Sequence, residues 1–132
     1  EIVEKLLDEN KNQYGVAADI ELRLDNQFTP LHCAVIMNSP QIVEVLLLQF
    51  AEINAQNEEG QTPLHLACKS CNLDIIVLFA QRKETQMDIQ DNDGNTPLHI
   101  ACVEMNEQVI RFLLEKCFCD PKKQNNAGKT PY

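Results

Sequence analysis

The fold is decided by a six-residue stretch that occurs three times, as Thr29-Pro30-Leu31-His32-Cys33-Ala34, Thr62-Pro63-Leu64-His65-Leu66-Ala67 and Thr96-Pro97-Leu98-His99-Ile100-Ala101. A further copy starts at Thr130-Pro131-Tyr132, where the sequence stops. The four threonines stand 33, 34 and 34 positions apart. A fixed period of roughly 20 to 50 residues is typical of repeat solenoids, in which each unit is one supersecondary motif.

Each copy of this stretch has the chemistry of a helix start. Threonine at the N-cap accepts a hydrogen bond from an otherwise unpaired backbone N–H, and proline suits the first helical position because its missing donor costs nothing there. The histidine stands at the third helical position, from which its ring can bond back toward the threonine, as glutamate does in a capping box. Each repeat is therefore predicted to begin a helix at its Thr-Pro pair.

A second apolar pattern with helical spacing follows each copy. It occupies residues 42–47, 75–79 and 109–114, and a similar stripe lies at residues 2–7. The residues that we expect to cap these second helices are Ser39, Asn72 and Asn106. Each repeat is thus predicted to hold two helices.

The segments between the helix pairs carry turn chemistry. Gly60, Gly94 and Gly128 each stand two residues before a repeat threonine and supply the positive φ that a tight turn needs. Gln27 takes this place before the first repeat, so we expect the first turn to differ in shape. These segments are predicted to project as hairpin-like fingers.

Together, the helix starts, the second helices and the fingers make this sequence similar to the ankyrin-repeat family. The resemblance covers nearly the whole chain and implies an all-α repeat solenoid. We expect a single domain over residues 1–132. Its predicted parts are a partial repeat with an insertion loop and the first finger at 1–28, repeats at 29–61, 62–95 and 96–129, and the start of another repeat at 130–132. Because the chain opens with Glu1 rather than Met, we expect it to be an excerpt. Because neither end has the pattern of a finished polar cap, we expect further repeats or capping helices outside it.

The sequence also departs from the family pattern in one loop and at the ends of its first helices. A polar stretch at residues 8–16 is predicted to be a loop of extra residues; a tolerated surface insertion is favoured over a functional role, since lengthening a loop costs little. The family usually ends its first helix with glycine, whereas this chain has Asn38, Cys71 and Met105. Because Cys and Met would cost about 1–2 kcal/mol in a left-handed conformation, we expect those two helix ends to be adjusted.

Composition and motifs argue against an enzyme, a cofactor or a metal site. The net charge of −9 disfavours binding to nucleic acid or to anionic membranes, and no apolar run is long enough to span a bilayer. No phosphate-binding loop, nucleophile elbow or zinc-protease motif is present. Cys68-x-x-Cys71 resembles a zinc or redox motif, but its nearest companion pair, Cys117 and Cys119, lies a repeat away in register. We expect reduced thiols and structural histidines.

The resemblance places function on the surface. In ankyrin proteins the finger tips and the exposed side of the first helices form a concave face that binds other proteins. The residues that this register predicts to contact a partner are Arg23, Asp25, Asn26, Phe28, Ile36 and Met37, then Gln56, Glu58, Glu59, Gln61, Lys69 and Ser70, then Gln90, Asn92, Asp93, Asn95, Val103 and Glu104, followed by Gln124, Asn126 and Lys129.

Two groups within this set are the main reasons to expect that this face binds a partner protein. Phe28, Ile36, Met37 and Val103 are apolar where solvent-facing residues are expected, which indicates either an interface or extra packing against neighbouring helices. The carboxylates of Glu58, Glu59 and Asp93, on adjacent fingers, would steer a basic segment toward this face unless they are simply solvated.

Residues 29–42, 64–68 and 119–121 are also similar to stretches of inhibitor-of-NF-kappaB proteins. That resemblance implies a partner protein of the Rel type, a cytoplasmic or nuclear location, and capture through basic localisation segments. We expect a monomeric, non-enzymatic interaction module without cofactors. The alternative is a structural spacer within a longer ankyrin solenoid of a multidomain scaffold or membrane-channel protein.

Overall fold

The computed structural model describes residues 20–132, which form helices joined by turns and loops, with no strand in that range. The six α-helices are α1 (Pro30–Ile36), α2 (Pro40–Leu48), α3 (Pro63–Ser70), α4 (Leu73–Ala80), α5 (Pro97–Glu104) and α6 (Glu107–Glu115), and a short 3-10 turn (Asp25–Gln27) precedes them. The predicted stripe at residues 2–7 and the predicted loop at residues 8–16 lie outside the described residues.

The helices are arranged in pairs and in two layers. Each first helix packs against the second helix of its own repeat, and α3 packs between α1 and α5. The second helices α2 and α4 pack against each other in the other layer. This architecture confirms the predicted all-α repeat solenoid, while the repeat boundaries at each threonine stay a prediction.

The core is made from the positions that recur in register. The leucine of each Thr-Pro-Leu-His stretch is buried, and Ala34, Ala67 and Ala101 are completely inaccessible to solvent. Alanine at these positions lets neighbouring first helices approach closely, because a larger side chain would have to displace packed neighbours. Ile75 and Phe79 on α4 are completely buried in the same core.

The predicted helix starts are present. The hydroxyls of Thr29, Thr62 and Thr96 each accept a hydrogen bond from the backbone N–H three residues on. The side chains that cap α2, α4 and α6 are those of Ser39, Asn72 and Asn106. Side-chain caps of this kind each contribute about 1 kcal/mol.

The first helices end in the left-handed conformation even without glycine. The φ angles of Asn38, Cys71 and Met105 are 54°, 57° and 57°. The expectation that the Cys and Met ends would be adjusted is therefore wrong. At Cys71 the left-handed conformation lets the next residue donate back to the helix, from Asn72 N to Ala67 O at 3.3 Å, whereas at the last of these ends Met105 N itself donates to Cys102 O at 3.1 Å.

Met105 gives a direct test of this strain. Its side chain is 82% exposed, so replacing it loses little packing. We expect Met105→Gly to raise the free energy of unfolding by roughly 0.5–1 kcal/mol, because glycine adopts positive φ without a Cβ clash. Urea denaturation of the two proteins measures the difference, and a destabilised variant would contradict a strained helix end.

The fingers close by one repeated pattern. Gly60, Gly94 and Gly128 have φ angles of 78°, 79° and 75°, as predicted for the turn. Within each of these fingers a backbone N–H donates to the carbonyl four residues on, such as Asn57 N to Gln61 O at 2.9 Å.

The first finger keeps the same closing bond with a different turn. Leu24 N donates to Phe28 O at 2.8 Å, as in the other fingers. Asn26 and Gln27 both take φ of 65° within the 3-10 turn, whereas in each later finger glycine alone has positive φ. The first turn therefore differs in shape from the later ones, and the difference lies at Asn26 and Gln27.

Candidate functional site

We use the term finger–helix face for the finger tips at residues 25–26, 58–59 and 92–93 together with the first-helix positions 36–37, 69–70 and 103–104. All of these positions are exposed. One pocket joins Asp25 and Phe28 of the first finger to Ile36 of α1, and another joins Asn95 of the third finger to Val103 of α5. Finger and helix residues therefore border common pockets.

The remaining predicted contact residues lie beside this face. Phe28, Gln61 and Asn95 are half-buried, whereas Arg23, Gln56 and Gln90 are exposed near the finger bases. The structure does not test whether any of them contacts a partner, so their contact role stays a prediction.

Several of the predicted contact residues have a role within the array that the sequence did not reveal. The side chains of Arg23, Gln56 and Gln90 each donate to a carbonyl of their own finger and to a carbonyl of the next finger. Gln90 Nε2, for example, lies 2.9 Å from the carbonyl oxygens of both Gly94 and Gln124. These side chains form a hydrogen-bonded ladder that fixes the spacing of the fingers.

A second ladder runs through the finger tips. Asn92 donates its backbone N–H to Glu59 O at 3.0 Å and its side-chain amide to Glu58 O at 2.8 Å. Asn126 repeats both bonds one finger later, to carbonyls of Asp93 and Asn92. The tips are therefore held in a fixed row rather than as independent loops.

The carboxylates on this row are available to a partner. Within the described residues, the side chains of Asp25, Glu58, Glu59 and Asp93 form no hydrogen bond and no ion pair, and all four are exposed. The carbonyls of Glu58, Glu59 and Asp93 are held by the next finger, so the acids are presented at fixed positions. This arrangement gives a negative edge to the finger–helix face.

The apolar residues on or beside the face are concentrated at the first repeat. Ile36 is 55% exposed and Met37 is exposed beside it, while Phe28 packs its ring edge-on against His32 with a centroid distance of 5.7 Å. Val103, 77% exposed, lies at the other end of the face. Ile36, Met37 and Val103 are thus not covered by neighbouring helices, whereas Phe28 is partly packed.

Two further residues at this end were not among the predicted contacts. Leu24 and Cys33 line the same pocket as Phe28 and Ile36. The register could have identified Leu24, because the equivalent finger position holds Asn57 in the next repeat and Asp91 in the one after. Burial raises the pKa of the Cys33 thiol, which keeps it protonated and weakly polar.

The histidines connect successive repeats. The backbone N–H of Thr62 donates to His65 Nδ1 at 3.1 Å, which leaves Nε2 to carry the ring proton and donate to Asn95 O at 2.9 Å. His32 and His99 make the same pair of contacts, to Gln61 O and Lys129 O. Burial lowers the pKa of His32 and of His65, consistent with neutral rings. Their role is structural.

Each of the two cysteine pairs has one buried thiol, Cys68 or Cys119, and one half-buried thiol, Cys71 or Cys117. The pKa of Cys68 is raised first by burial and then by the neighbouring thiols of Cys119, Cys117 and Cys71. Burial, with Asp88 nearby, raises the pKa of Cys119 to about 12. The six cysteines are free thiols, and such groups are poor nucleophiles and poor metal ligands while protonated.

Neither a metal cluster nor a membrane helix is found in the part of the chain that the structure describes. Among residues 20–132, no group of three His, Cys, Asp or Glu side chains is arranged to hold a metal ion. No helix in that range combines the length and apolarity that crossing a bilayer requires.

Comparison with known proteins yields one family and several relatives. A profile described as "Ankyrin repeats (3 copies)" matches residues 39–125. NF-kappa-B inhibitor alpha from Sus scrofa is 39% identical over 72 residues, covering 54% of this chain and 23% of that protein. Its counterpart from Homo sapiens is 44% identical over 55 residues, covering 42% and 17%. The BTB/POZ domain and ankyrin repeat-containing protein NPR3 from Oryza sativa subsp. japonica is 36% identical over 59 residues, covering 45% and 10%.

These matches agree with the architecture. The profile covers more than half of the chain and spans helices α2 to α6. The matched region accounts for about a quarter or less of the length of these curated relatives. Paired helices, capped starts and glycine-bearing fingers in one register lead to the same conclusion as the profile. The chain belongs to the ankyrin-repeat family.

Proposed function

We propose that this domain binds another protein through its finger–helix face and that the partner presents a basic segment to the acidic finger tips. The observation that carries the proposal is the row of exposed carboxylates of Glu58, Glu59 and Asp93, whose positions are fixed by the ladder between fingers. Fixed charges of one sign attract a segment of the opposite sign and orient it before contact.

The relatives support a more specific partner. Several of them are named inhibitors of NF-kappa-B, so we propose that the partner is a Rel-type transcription factor and that binding sequesters it. This proposal includes a cytoplasmic or nuclear location for the protein. The contact is non-covalent, and the domain needs no cofactor for it.

The first test reverses charge on the face. We expect Glu59→Lys combined with Asp93→Lys to weaken binding of a Rel-type factor at least tenfold, because the two attractive carboxylates are replaced by ammonium groups that repel the basic segment. The matched control is Glu44→Lys with Glu115→Lys, two exposed carboxylates on α2 and α6 that change the net charge equally. Titration calorimetry of each variant measures the dissociation constant.

The control separates a specific contact from long-range attraction. Binding by the control pair should stay within about twofold of the native protein at physiological salt, where exposed charges more than about 8 Å apart are largely screened. Equal weakening by both pairs would contradict contact at the finger tips. Unchanged binding by the Glu59/Asp93 variant, with its helix content intact, would remove the acidic tips from the interface.

A further inference from the structure

The three repeats provide an internal comparison at the first-repeat pocket. Its apolar side chains are Leu24, Phe28 and Ile36. The residues at the same register positions are Asn57, Gln61 and Lys69 in the next repeat, and Asp91, Asn95 and Val103 in the one after. Because the fold forms with polar residues at nearly all of these positions, the apolar set in the first repeat is not required by the fold.

Leucine at position 24 also leaves the first finger without two hydrogen bonds that the later fingers make. The side-chain oxygen of Asn57 accepts from the N–H groups of Glu59 and Gln61, at 3.0 Å and 2.9 Å, and Asp91 makes the equivalent pair. Leucine has no acceptor, so the first finger closes without these two bonds. Leu24 thus forgoes local hydrogen bonds and stays 37% exposed, so burial in the core does not explain a leucine at this position, whereas a contact surface would.

The pocket is an open concavity with room for one large apolar side chain and part of the main chain that carries it. Its volume is about 580 Å³, and its lining combines Leu24, Phe28, Cys33 and Ile36 with the charged residues Arg23 and Asp25. The edge contact with buried His32 holds the Phe28 ring, and Arg23 is held by bonds to two finger carbonyls. The walls are therefore formed before any ligand arrives, which lowers the entropic cost of binding.

We propose that this pocket binds a single large apolar side chain of the partner segment, which anchors the segment at one end of the acidic row. The inference rests on the proposed function and specifies the chemistry of the partner. Neighbouring repeats are spaced by about 8–10 Å, and an extended chain advances about 3.3 Å per residue. The partner segment would then carry basic residues about three and about six positions from its anchor, opposite Glu59 and Asp93.

Short synthetic peptides test this assignment. One has lysine at the two predicted positions and leucine as the anchor, a second has the reversed order, and a third has serine in place of leucine. We expect one of the two leucine peptides to bind the native protein about tenfold or more tightly than the serine peptide, because burial of one leucine side chain provides that difference. Fluorescence anisotropy of labelled peptides measures the three dissociation constants.

The protein supplies its own matched variants. Leu24→Asn with Phe28→Gln gives the first repeat the residues that the second repeat holds at those positions, and it leaves the net charge unchanged. We expect this variant to bind the leucine and serine peptides equally, with the affinity that the native protein has for the serine peptide. Val103→Asn, which removes an exposed apolar side chain at the other end of the face, should keep the native preference.

The outcomes separate this inference from the proposed function. Equal binding of all three peptides by the native protein, still weakened by Glu59→Lys with Asp93→Lys, would overturn the anchor pocket and leave the basic-segment proposal standing. A leucine preference that persists in the Leu24/Phe28 variant would also overturn the pocket. If none of the peptides bound, both proposals would fall.

Discussion

Gly94→Ala is expected to lower the free energy of unfolding by about 3 kcal/mol or more, a large share of the stability of a small domain. A Cβ on Gly94 would lie 2.6 Å from the backbone nitrogen of Asn126, which is held in the next finger. The nitrogen cannot move away without breaking its hydrogen bond to Asp93 O. The substitution therefore adds a steric clash to the usual cost of positive φ.

Gly128→Ala is the control that isolates this clash. Gly128 has a similar φ of 75°, but a Cβ there would meet no atom within 4 Å. We expect it to cost only about 1 kcal/mol, the conformational penalty alone. Urea denaturation followed by circular dichroism measures both variants. Similar losses at the two glycines would contradict the close approach of neighbouring fingers.

His65→Ala is expected to cost about 2–4 kcal/mol, the second large effect. The ring is buried, accepts from Thr62 N and donates to Asn95 O, so its removal leaves a cavity and two unpaired backbone groups. His99→Ala is the comparison, because its ring bonds to Lys129 O on an exposed finger. Urea denaturation measures the loss of free energy of unfolding in each variant. We expect a smaller loss for His99→Ala than for His65→Ala, because the His65 hydrogen bond joins two internal repeats. A larger loss for His99→Ala would contradict this explanation.

The stability of the fold is expected to depend on pH through the His65 and His32 rings. Burial lowers the pKa of His65 and of His32 below the ordinary value of 6.5, so the unfolded chain binds these protons more readily than the folded one. Stability should be fully present above about pH 6.5 and should fall as the pH drops below it toward the folded pKa. The Tm of the native protein between pH 8 and pH 5 measures the slope. Loss of His65 should make that slope shallower, and an unchanged slope would assign it to other groups.

Much of the fold could be predicted because it depends on short-range chemistry repeated in register. The Thr-Pro starts, the second-helix caps and the glycine turns are each readable within a few residues, and their repetition fixed the architecture. The helix ends at Cys71 and Met105 were mispredicted for a physical reason. The local penalty of a left-handed residue, about 1–2 kcal/mol, is offset by hydrogen bonds that end the helix, and those bonds are not visible in the residue type alone.

The candidate site was predictable in outline only. The register predicts exposed acidic tips and an exposed side of the first helices, since both follow from helical and turn periodicity, and their contact with a partner stays a prediction. The register cannot show that Gln56, Gln90 and Asn92 bond to neighbouring fingers, because those bonds depend on how the repeats stack. The register also does not single out Leu24. Its significance follows from the two hydrogen bonds that the Asn57 side chain accepts in the next finger and that leucine cannot accept.

The ladder of side chains between fingers also bears on how such an array can change in length. In this ladder each donor side chain bonds to the carbonyl of the residue at the equivalent position in the next repeat. The Gln56 amide donates to the Gln90 carbonyl, and the Gln90 amide donates to the Gln124 carbonyl. Duplicating or deleting a whole unit, such as residues 62–95, therefore leaves each donor with an acceptor. Inserting a single residue in one finger would shift that finger against both neighbours. Gene duplication can thus lengthen this protein in whole units more readily than point insertions can alter any one of them.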